Sequence, residues 1–180
     1  MGIFNRIRWR IYYFASHIYW GLQLGYYGRE AMIHYPDRIF GCKKIYIGDK
    51  VNIGHHARLE THGGGKLLID FGTTIEERCH IIAAGDLHIG KECVISADVY
   101  ISDCSHGYAH DELILHQPLK VMPTEVGYHC FIGIGAKIMP GVSLGDYCVV
   151  GANAVVTHDV PECAVVAGVP AKVIGYNRDD

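Results

Sequence analysis

Charged residues are scarce in this sequence. Lys, Arg, Asp and Glu make up 19% of the 180 residues, and the net charge is −3, whereas typical soluble domains contain roughly 25% charged residues. The chain therefore lacks the general basic field of nucleic-acid-binding proteins. Its length predicts one domain, and a hydrophobic content of 49% excludes an intrinsically disordered chain.

Paired cysteine motifs are also absent. The seven cysteines form no Cys-x-x-Cys pair, so a zinc ribbon is not indicated. Their odd number, together with the lack of a recognisable secretory signal, predicts a reducing cytoplasmic location.

A convincing membrane-spanning run is missing as well. Residues 11–28 are uncharged, but Tyr, Trp, His, Gln and Gly interrupt them, and such residues suit a membrane interface better than the hydrocarbon centre. Residues 1–38 are therefore predicted to form an N-terminal helical segment that packs on the rest of the protein. Two alternatives stay open: a true spanning helix, or peripheral contact of residues 1–28 with the inner membrane surface through Arg6, Arg8 and Arg10.

Glycine, in contrast, is abundant, with 22 of the 180 residues, and much of it follows a repeat of six. A small residue stands four positions after each aliphatic residue of this repeat, and glycine follows seven of the aliphatic residues directly. The fifteen aliphatic positions are Ile47, Ile53, Leu59, Ile69, Ile75, Ile81, Ile89, Ile95, Ile101, Val126, Ile132, Ile138, Leu144, Val150 and Val156.

This pattern predicts an all-β fold, a parallel β-helix of triangular cross-section. Each hexad forms one face with its aliphatic side chain pointing inward, and three hexads make one coil. The hexads give about five coils in a domain over residues 39–180. Breaks in the step predict short loops at residues 62–66 and near Gly85, and one large loop at residues 103–125. An ordinary β-sandwich would show a period of two instead. The spacing leaves the handedness open.

Three further motifs stand near the end of the chain: Ile132-Gly-Ile-Gly-Ala-Lys-Ile-Met-Pro-Gly, Val150-Gly-Ala-Asn-Ala-Val-Val-Thr-His-Asp-Val-Pro and Ala167-Gly-Val-Pro-Ala-Lys-Val-Ile-Gly. With them, residues 40–176 resemble the hexapeptide-repeat acyltransferases, and most of all the galactoside, maltose and polysaccharide O-acetyltransferases. The resemblance implies a left-handed β-helix, a homotrimer and acetyl-CoA bound between neighbouring subunits, with no metal. It implies acetyl transfer to a sugar hydroxyl in surface-polysaccharide or lipopolysaccharide biosynthesis.

The segment Ile101-Ser-Asp-Cys-Ser-His-Gly-Tyr is similar to the one that carries the catalytic histidine in the polysaccharide O-acetyltransferases. The resemblance assigns His106 as the catalytic base. Histidine suits this step because imidazole is largely neutral near pH 7 and can accept the proton of an attacking hydroxyl. His110 and His116, in the same loop, are alternative bases. Asp103 and His110 are candidate contacts to the acceptor sugar, and Asp103 could instead cap a turn and help to set the loop.

The resemblance also implies an acetyl-CoA groove lined by Phe131, Ile134, Ala152, Thr157, His158 and Lys172. Lys172 can meet the nucleotide phosphates as a point charge. The chain departs from the family where Phe131 replaces a usual tryptophan and His158 a usual lysine. Cys104 stands where a second histidine is common, so a cysteine nucleophile is a further alternative.

Three other functions stay open at this point. One is N-acetylation of an amino sugar nucleotide on the same kind of prism, and another is a non-enzymatic scaffold. The third is the γ-class carbonic anhydrase, a zinc enzyme with the same prism. That family uses two histidines five positions apart, and no two of the twelve histidines have this spacing.

Overall fold

Most of the chain winds into coils of three short strands each. The computed structural model describes residues 3–177, and their side chains from residue 11 onward. A helix, α1 (Ile3–Gln23), precedes the coils. In chain order, the strands are β1 (Tyr26–Tyr27), β2 (Met32–Ile33) and β3 (Arg38–Phe40) in coil one; β4 (Ile45–Ile47), β5 (Asn52–Ile53) and β6 (Arg58–Thr61) in coil two; β7 (Lys66–Ile69), β8 (Thr74–Ile75) and β9 (His80–Ala83) in coil three; β10 (Asp86–Ile89), β11 (Val94–Ile95) and β12 (Tyr100–Ser102) in coil four; β13 (Cys104–His106) and β14 (Leu119–Val121) in the large loop; β15 (Glu125–Val126), β16 (Phe131–Ile132) and β17 (Lys137–Ile138) in coil five; β18 (Ser143–Leu144), β19 (Val149–Val150) and β20 (Val155–Val156) in coil six; and the final pair β21 (Ala164–Gly168) and β22 (Ala171–Tyr176).

Equivalent strands of successive coils pair in parallel and form the three faces of a prism. Face A contains β1, β4, β7, β10, β15 and β18, face B contains β2, β5, β8, β11, β16, β19 and β21, and face C contains β3, β6, β9, β12, β17 and β20. All fifteen hexad aliphatics are buried, and on face A, for example, Ile69, Ile89 and Val126 stack in register. The parallel β-helix predicted from the hexads is therefore confirmed.

Small side chains fill the corners of the prism. Twelve of the fifteen small hexad positions are buried, and the exceptions are Gly63, Gly85 and Ser105, which lie where the regular coil is interrupted. Glycine directly after an aliphatic residue permits close stacking of the coils. A Cβ atom on Gly90 would lie 2.7 Å from the carbonyl carbon of Gly127 in the next coil. A side chain there would push the two coils apart.

The prism has six coils, one more than the hexad count gives, and the missed coil is the first one along the chain. Strands β1, β2 and β3 form a complete first coil, so the estimate of about five coils is one short. The domain boundary predicted at residue 39 falls inside β3. Two features hide this coil in the sequence. Tyr27 occupies the place of the aliphatic residue on face A, and a short turn at Cys42–Lys44 makes the step from Ile39 to Ile47 eight residues long.

The breaks in the six-residue step have two different outcomes. Strand β6 ends at Thr61 and β7 begins at Lys66, which confirms a loop there. Near Gly85 the extra residues lengthen β9 and β10 instead, and Ala84 and Gly85 alone form the corner. The large loop at residues 103–125 is confirmed, and it contains the antiparallel pair β13 and β14.

The N-terminal helix packs against the first coil. The hydroxyl of Tyr12 donates a hydrogen bond to the carbonyl oxygen of Ile33 at 2.8 Å, and Leu24 and Trp20 pack against the hydrophobic core. Within residues 3–177, no helix is both long and apolar enough to cross a membrane.

The other side of α1 is exposed and apolar. The side chains of Ile11, Phe14, Ile18 and Leu22 are 52–70% exposed, and their spacing of three or four residues places them in one stripe. We call these four residues the α1 stripe. Membrane contact is predicted through Arg6, Arg8 and Arg10. These residues belong to α1, but their side chains lie outside the part of the chain that the structure describes.

Candidate active site

The buried carboxylate of Asp103 fixes the large loop to the prism. Asp103 has no exposed surface. Its Oδ1 accepts a hydrogen bond from the backbone N–H of Ala84 at 2.7 Å, and its Oδ2 accepts one from Gly85 at 2.8 Å. The backbone N–H of Met122 donates to the carbonyl oxygen of Asp103 at 2.7 Å, which joins the two ends of the loop. Asp103 therefore anchors the loop, one of the two roles that the sequence suggested, and its buried carboxylate is not placed to contact an acceptor.

His106 lies on β13, directly after this anchor. β13 pairs with β14, with His106 opposite Leu119. The start of β13 is held by Ser102, whose Oγ accepts a hydrogen bond from the backbone N–H of Cys104 at 3.1 Å. The imidazole of His106 is exposed. His106 thus combines access to solvent with the fixed position that a catalytic base requires.

A groove of ≈ 570 Å³ opens beside His106. This volume falls within the range of about 300–1,000 Å³ that is typical of ligand-binding clefts. Face C and the large loop together supply its lining residues, which are His62, Ile82, Tyr100, Cys104, Ser105, His106, Leu115, Gln117, Leu119, Met139 and Pro140.

The three histidines of the loop are placed differently. All three are exposed, and among them His106 alone lines the groove. His110 lies at the tip of the loop, where the side-chain amide of Gln117 bonds the backbone N–H and carbonyl of Ala109 at 2.8 and 2.9 Å. His116 ends a short helical turn, Ile114–His116. The geometry therefore favours His106 over His110 and His116 as the base.

Cys104 lines the groove but is poorly suited to nucleophilic catalysis. It is 8% exposed, and burial raises the pKa of its thiol, against a smaller opposing effect of the hydrogen bond with Ser102. The thiolate is the nucleophilic form of cysteine, and a raised pKa keeps the thiol protonated near neutral pH. The structure thus argues against a cysteine nucleophile.

Face C carries a charged cluster next to the groove, which the sequence reasoning missed. Glu60 is 5% exposed, and it lies within 4 Å of Arg38, Arg58, His62 and His80. Burial tends to raise the pKa of Glu60, but the hydrogen bonds from Arg58 and His62 and the charge of Arg38 outweigh it and lower the pKa. No sign of it existed in the sequence, because the insertion at residues 62–66 makes this coil 22 residues long and places His80 in register with Arg58. We call these five residues the face C cluster.

Two of the residues assigned to acetyl-CoA lie close to the groove. Thr157 and His158 follow β20 at the corner between faces C and A, one coil beyond Met139 and Pro140, which line the groove. Both side chains are exposed, and the Oγ1 of Thr157 lies 2.9 Å from the Nδ1 of His158.

The other assigned residues lie elsewhere on the prism. Phe131 is 44% exposed on face B. Ile134 and Ala152 occupy equivalent places in coils five and six at the corner between faces B and C, and both are exposed. Lys172 is exposed on β22. One chain therefore places the six residues at separate positions on the prism and does not join them in one groove.

Many histidines are engaged with carboxylates. The Nε2 of His88 lies 2.9 Å from the Oδ2 of Asp70, and that of His129 lies 3.1 Å from the Oε2 of Glu92. In the part of the chain that the structure describes, no group of three or more His, Cys, Asp or Glu side chains is placed to hold a metal ion.

Known proteins with the same repeat decide the family. The family profile described as the hexapeptide repeat of succinyl-transferase matches residues 123–158. WcaF of Escherichia coli K12, named as an acetyltransferase of colanic acid biosynthesis, is 30% identical over 155 residues, which cover 86% of this chain and 78% of WcaF. This chain belongs to the hexapeptide-repeat acetyltransferases. WbbJ of the same strain, named as an O-acetyl transferase of lipopolysaccharide biosynthesis, is 29% identical over 163 residues, covering 86% of this acetyltransferase and 83% of WbbJ.

A solved structure shares the fold of this acetyltransferase. It is a variant of AntD, an N-acyltransferase from Bacillus cereus, in complex with dTDP-4-amino-4,6-dideoxyglucose and coenzyme A. The TM-score is 0.78 at 18% identity, over 88% of this chain and 87% of that one. The likeness is one of fold, the left-handed β-helix that the resemblance implied.

We expect Asp103→Ala to loosen the large loop of this acetyltransferase from its prism. The change leaves the backbone N–H groups of Ala84 and Gly85 without their acceptor, and a buried unsatisfied group costs about 1–3 kcal/mol. The free energy of unfolding in urea should fall by at least that amount, and limited proteolysis should cleave residues 104–121 faster. Asp111→Ala, at an exposed site of the same loop, is the matched control. An unchanged cleavage rate in Asp103→Ala would contradict the anchoring role.

Proposed function

We propose that this protein is an O-acetyltransferase that moves an acetyl group from acetyl-CoA to a sugar hydroxyl in surface-polysaccharide or lipopolysaccharide biosynthesis. The observation that carries the proposal is the exposed imidazole of His106, held on a paired strand beside a groove of ≈ 570 Å³. The relatives support the class of acceptor, because WbbJ and WcaF are named for the biosynthesis of lipopolysaccharide and colanic acid.

His106 acts as the general base in this reaction. Acetyl-CoA supplies the acetyl group as a thioester, an activated acyl donor. A sugar hydroxyl is a weak nucleophile at neutral pH, because its pKa lies far above 7. An imidazole nitrogen of His106 takes the hydroxyl proton as the oxygen attacks the thioester carbonyl carbon. The carbon–sulfur bond then breaks, and the proton passes from His106 to the departing CoA thiolate. Such a base contributes about 10²–10⁴ in rate. The apolar side chains of Ile82, Leu119 and Met139, which line the groove, limit the access of water that would compete with the sugar.

We also propose that the enzyme is a homotrimer with acetyl-CoA bound between subunits. Thr157 and His158 lie at the edge of face C that borders the groove, whereas Ile134 and Ala152 lie at its opposite edge. A neighbouring subunit that packs on face C at coils five and six brings the second set to the first. The exposed apolar surface of Phe131, Ile134 and Ala152 suits the pantetheine arm, and the exposed Lys172 suits the nucleotide phosphates.

We propose further that the enzyme is cytoplasmic and that α1 attaches it to the inner membrane surface. The α1 stripe offers an exposed apolar face. Residues 1–30 contain four arginines and one glutamate, a net charge of +3 in a chain whose total is −3. A helix with an apolar face and a basic end binds the interface of anionic bilayers. The occupant of the stripe is therefore an anionic lipid surface.

We expect His106→Ala to lower the rate of acetyl transfer at least about 100-fold, because the hydroxyl loses its base. The release of free CoA thiol from acetyl-CoA, measured over a panel of sugar acceptors, checks this. CoA binding by calorimetry and the melting temperature should stay unchanged, because the side chain is exposed.

His110→Ala, in the same loop, is the control for His106→Ala and should keep most of the activity. Full activity in His106→Ala would overturn its role, and loss in His110→Ala would transfer that role. Mild alkali identifies the bond formed, because it removes an O-acetyl ester and leaves the amide of an N-acetyl product.

Mixed oligomers test the shared site. His106→Ala and Ala152→Arg should each be inactive alone, and co-expression should restore activity, because some sites then combine an intact His106 with an intact Ala152 from different subunits. His106→Ala with Thr157→Arg is the matched control and should stay inactive, since both changes affect the same edge of face C. Light scattering should give three times the 20.0 kDa of one chain. A monomer mass, or no restoration, would count against the trimer.

Replacing two residues of the α1 stripe tests the membrane contact. The double variant Phe14→Asp, Leu22→Asp should lose flotation with phosphatidylglycerol vesicles, because both side chains would carry charge into the interface. Leu113→Asp, at a similarly exposed apolar site in the large loop, should float like the unmodified protein. Equal flotation of the double variant and of Leu113→Asp would contradict the proposed membrane contact. Loss of the trimer without loss of flotation would assign the stripe to a subunit contact.

A further inference from the structure

Arg38 and Arg58 of the face C cluster share a single carboxylate. Arg58 donates to the Oε1 of Glu60 at 2.8 Å, and the Nε of Arg38 lies 3.6 Å from its Oε2. Two guanidinium charges therefore face one carboxylate charge, a surplus of +1 before any charge on the two histidines of the cluster is counted. The side chains of Arg38 and Arg58 are 49% and 43% exposed and that of Glu60 is 6% exposed. The surface that a ligand meets here is positive.

The other arginines with described side chains have carboxylates of their own. Arg78 bonds both oxygens of Asp98 at 2.8 and 2.9 Å and also Glu77 at 2.8 Å. The Nε of Arg29 lies 3.4 Å from the Oδ2 of Asp49. Among these four arginines, the surplus positive charge therefore belongs to the pair on face C.

One row of outward side chains connects this pair with the groove. Arg38, Arg58, His80 and Tyr100 are paired in register on successive strands of face C. Tyr100 lines the groove beside His106, and its ring centroid lies 5.7 Å from that of His80. With strands about 4.8 Å apart, Arg58 stands about 10 Å from Tyr100. A saccharide of two units spans this distance.

We infer that Arg38 and Arg58 bind an anionic group of the acceptor, a carboxylate or a phosphate, one or two sugar units away from the hydroxyl that is acetylated. This inference rests on the proposed function. A guanidinium presents five N–H donors in a planar fork that matches the oxygens of carboxylates and phosphates. Glu60 uses only some of the donors of the pair, and the half-exposed remainder is available to a ligand.

Two neighbouring rings connect the arginine pair with the groove. His62 lines the groove, and its ring centroid lies 5.1 Å from that of Phe40. The guanidinium of Arg38 lies 5.2 Å above the Phe40 ring, a cation–π contact that limits its freedom. Because Glu60 holds the arginines before a ligand arrives, little side-chain entropy is lost on binding.

Three forms of one acceptor test the inference: a neutral disaccharide, the same disaccharide with a uronic acid as its second unit, and its phosphate ester. In Arg58→Gln, the KM for the charged acceptor should rise at least about 10-fold, because a charge-assisted hydrogen bond is lost. The kcat and the KM for the neutral acceptor should stay within about twofold, since the reacting hydroxyl lies elsewhere.

A second variant repeats the test at Arg38, and a control variant removes an equal charge elsewhere. Arg38→Gln should show the same selective rise in KM. Arg38 makes a weaker contact with Glu60, an ion pair of 3.6 Å, so this variant still tests the inference if Arg58→Gln fails to fold. Arg29→Gln removes an equal charge from a side chain that is 91% exposed between faces A and B, and it should change neither KM. A rise confined to the uronate identifies a carboxylate, and one confined to the ester identifies a phosphate. An unchanged ratio of charged to neutral KM in both variants overturns the inference.

A binding measurement separates this inference from the proposed function. Calorimetry on His106→Ala, with glucuronate and with pyrophosphate as probes, should show at least one that binds, and Arg58→Gln in the same background should weaken that binding at least about 10-fold. Binding without any acetyl transfer by the unmodified protein would leave the arginine site standing and refute the proposed reaction. Acetyl transfer without binding of either probe would support the proposed reaction and refute the arginine site.

Discussion

The narrow interior of the triangular coil governs the rest of this protein. Each hexad points one aliphatic side chain inward, and all fifteen are buried there. The longer strands β4, β7 and β10 bury a second one each, Ile45, Leu67 and Leu87. Because these side chains fix the register of neighbouring strands, the outward residues form rows with a spacing of about 4.8 Å. Both functional features depend on this register. Asp103 reaches the corner of the preceding coil at Ala84 and Gly85, and the arginines of face C stand in line with the groove.

The hexads predict the core but contain no sign of how the chain turns its corners. The third residue after many hexad aliphatics has a left-handed backbone, as at Lys50, Arg78 and Glu92, with φ of 58°, 57° and 55°. These residue types have no preference for positive φ. Hydrogen bonds between coils impose the conformation, since the backbone N–H of Lys50, for example, donates to the carbonyl oxygen of Arg29 at 2.8 Å. A local reading of the sequence therefore predicts the faces better than the corners.

The site could be predicted only where a motif stays within one stretch of chain. His106 follows from such a motif, and Asp103 was noticed there with two possible roles, between which its burial decides. The row from Arg38 to Tyr100 could not be seen, because its steps are 20, 22 and 20 residues long rather than 18. Insertions at the corners change these lengths without disturbing the register. Residues that meet on one face are therefore separated by irregular distances in the sequence.

The two ends of the prism are closed in different ways. A stack of parallel strands exposes unpaired backbone groups at its first and last coil, and these groups readily pair with another chain. At one end α1 lies against β1 and β2, and at the other β22 folds back antiparallel to β21 and touches β20. Both coverings reduce the edge that is open to pairing with another copy of the prism. The helix thus shields the outer strands β1 and β2, and its removal would expose their backbone groups to pairing with another chain.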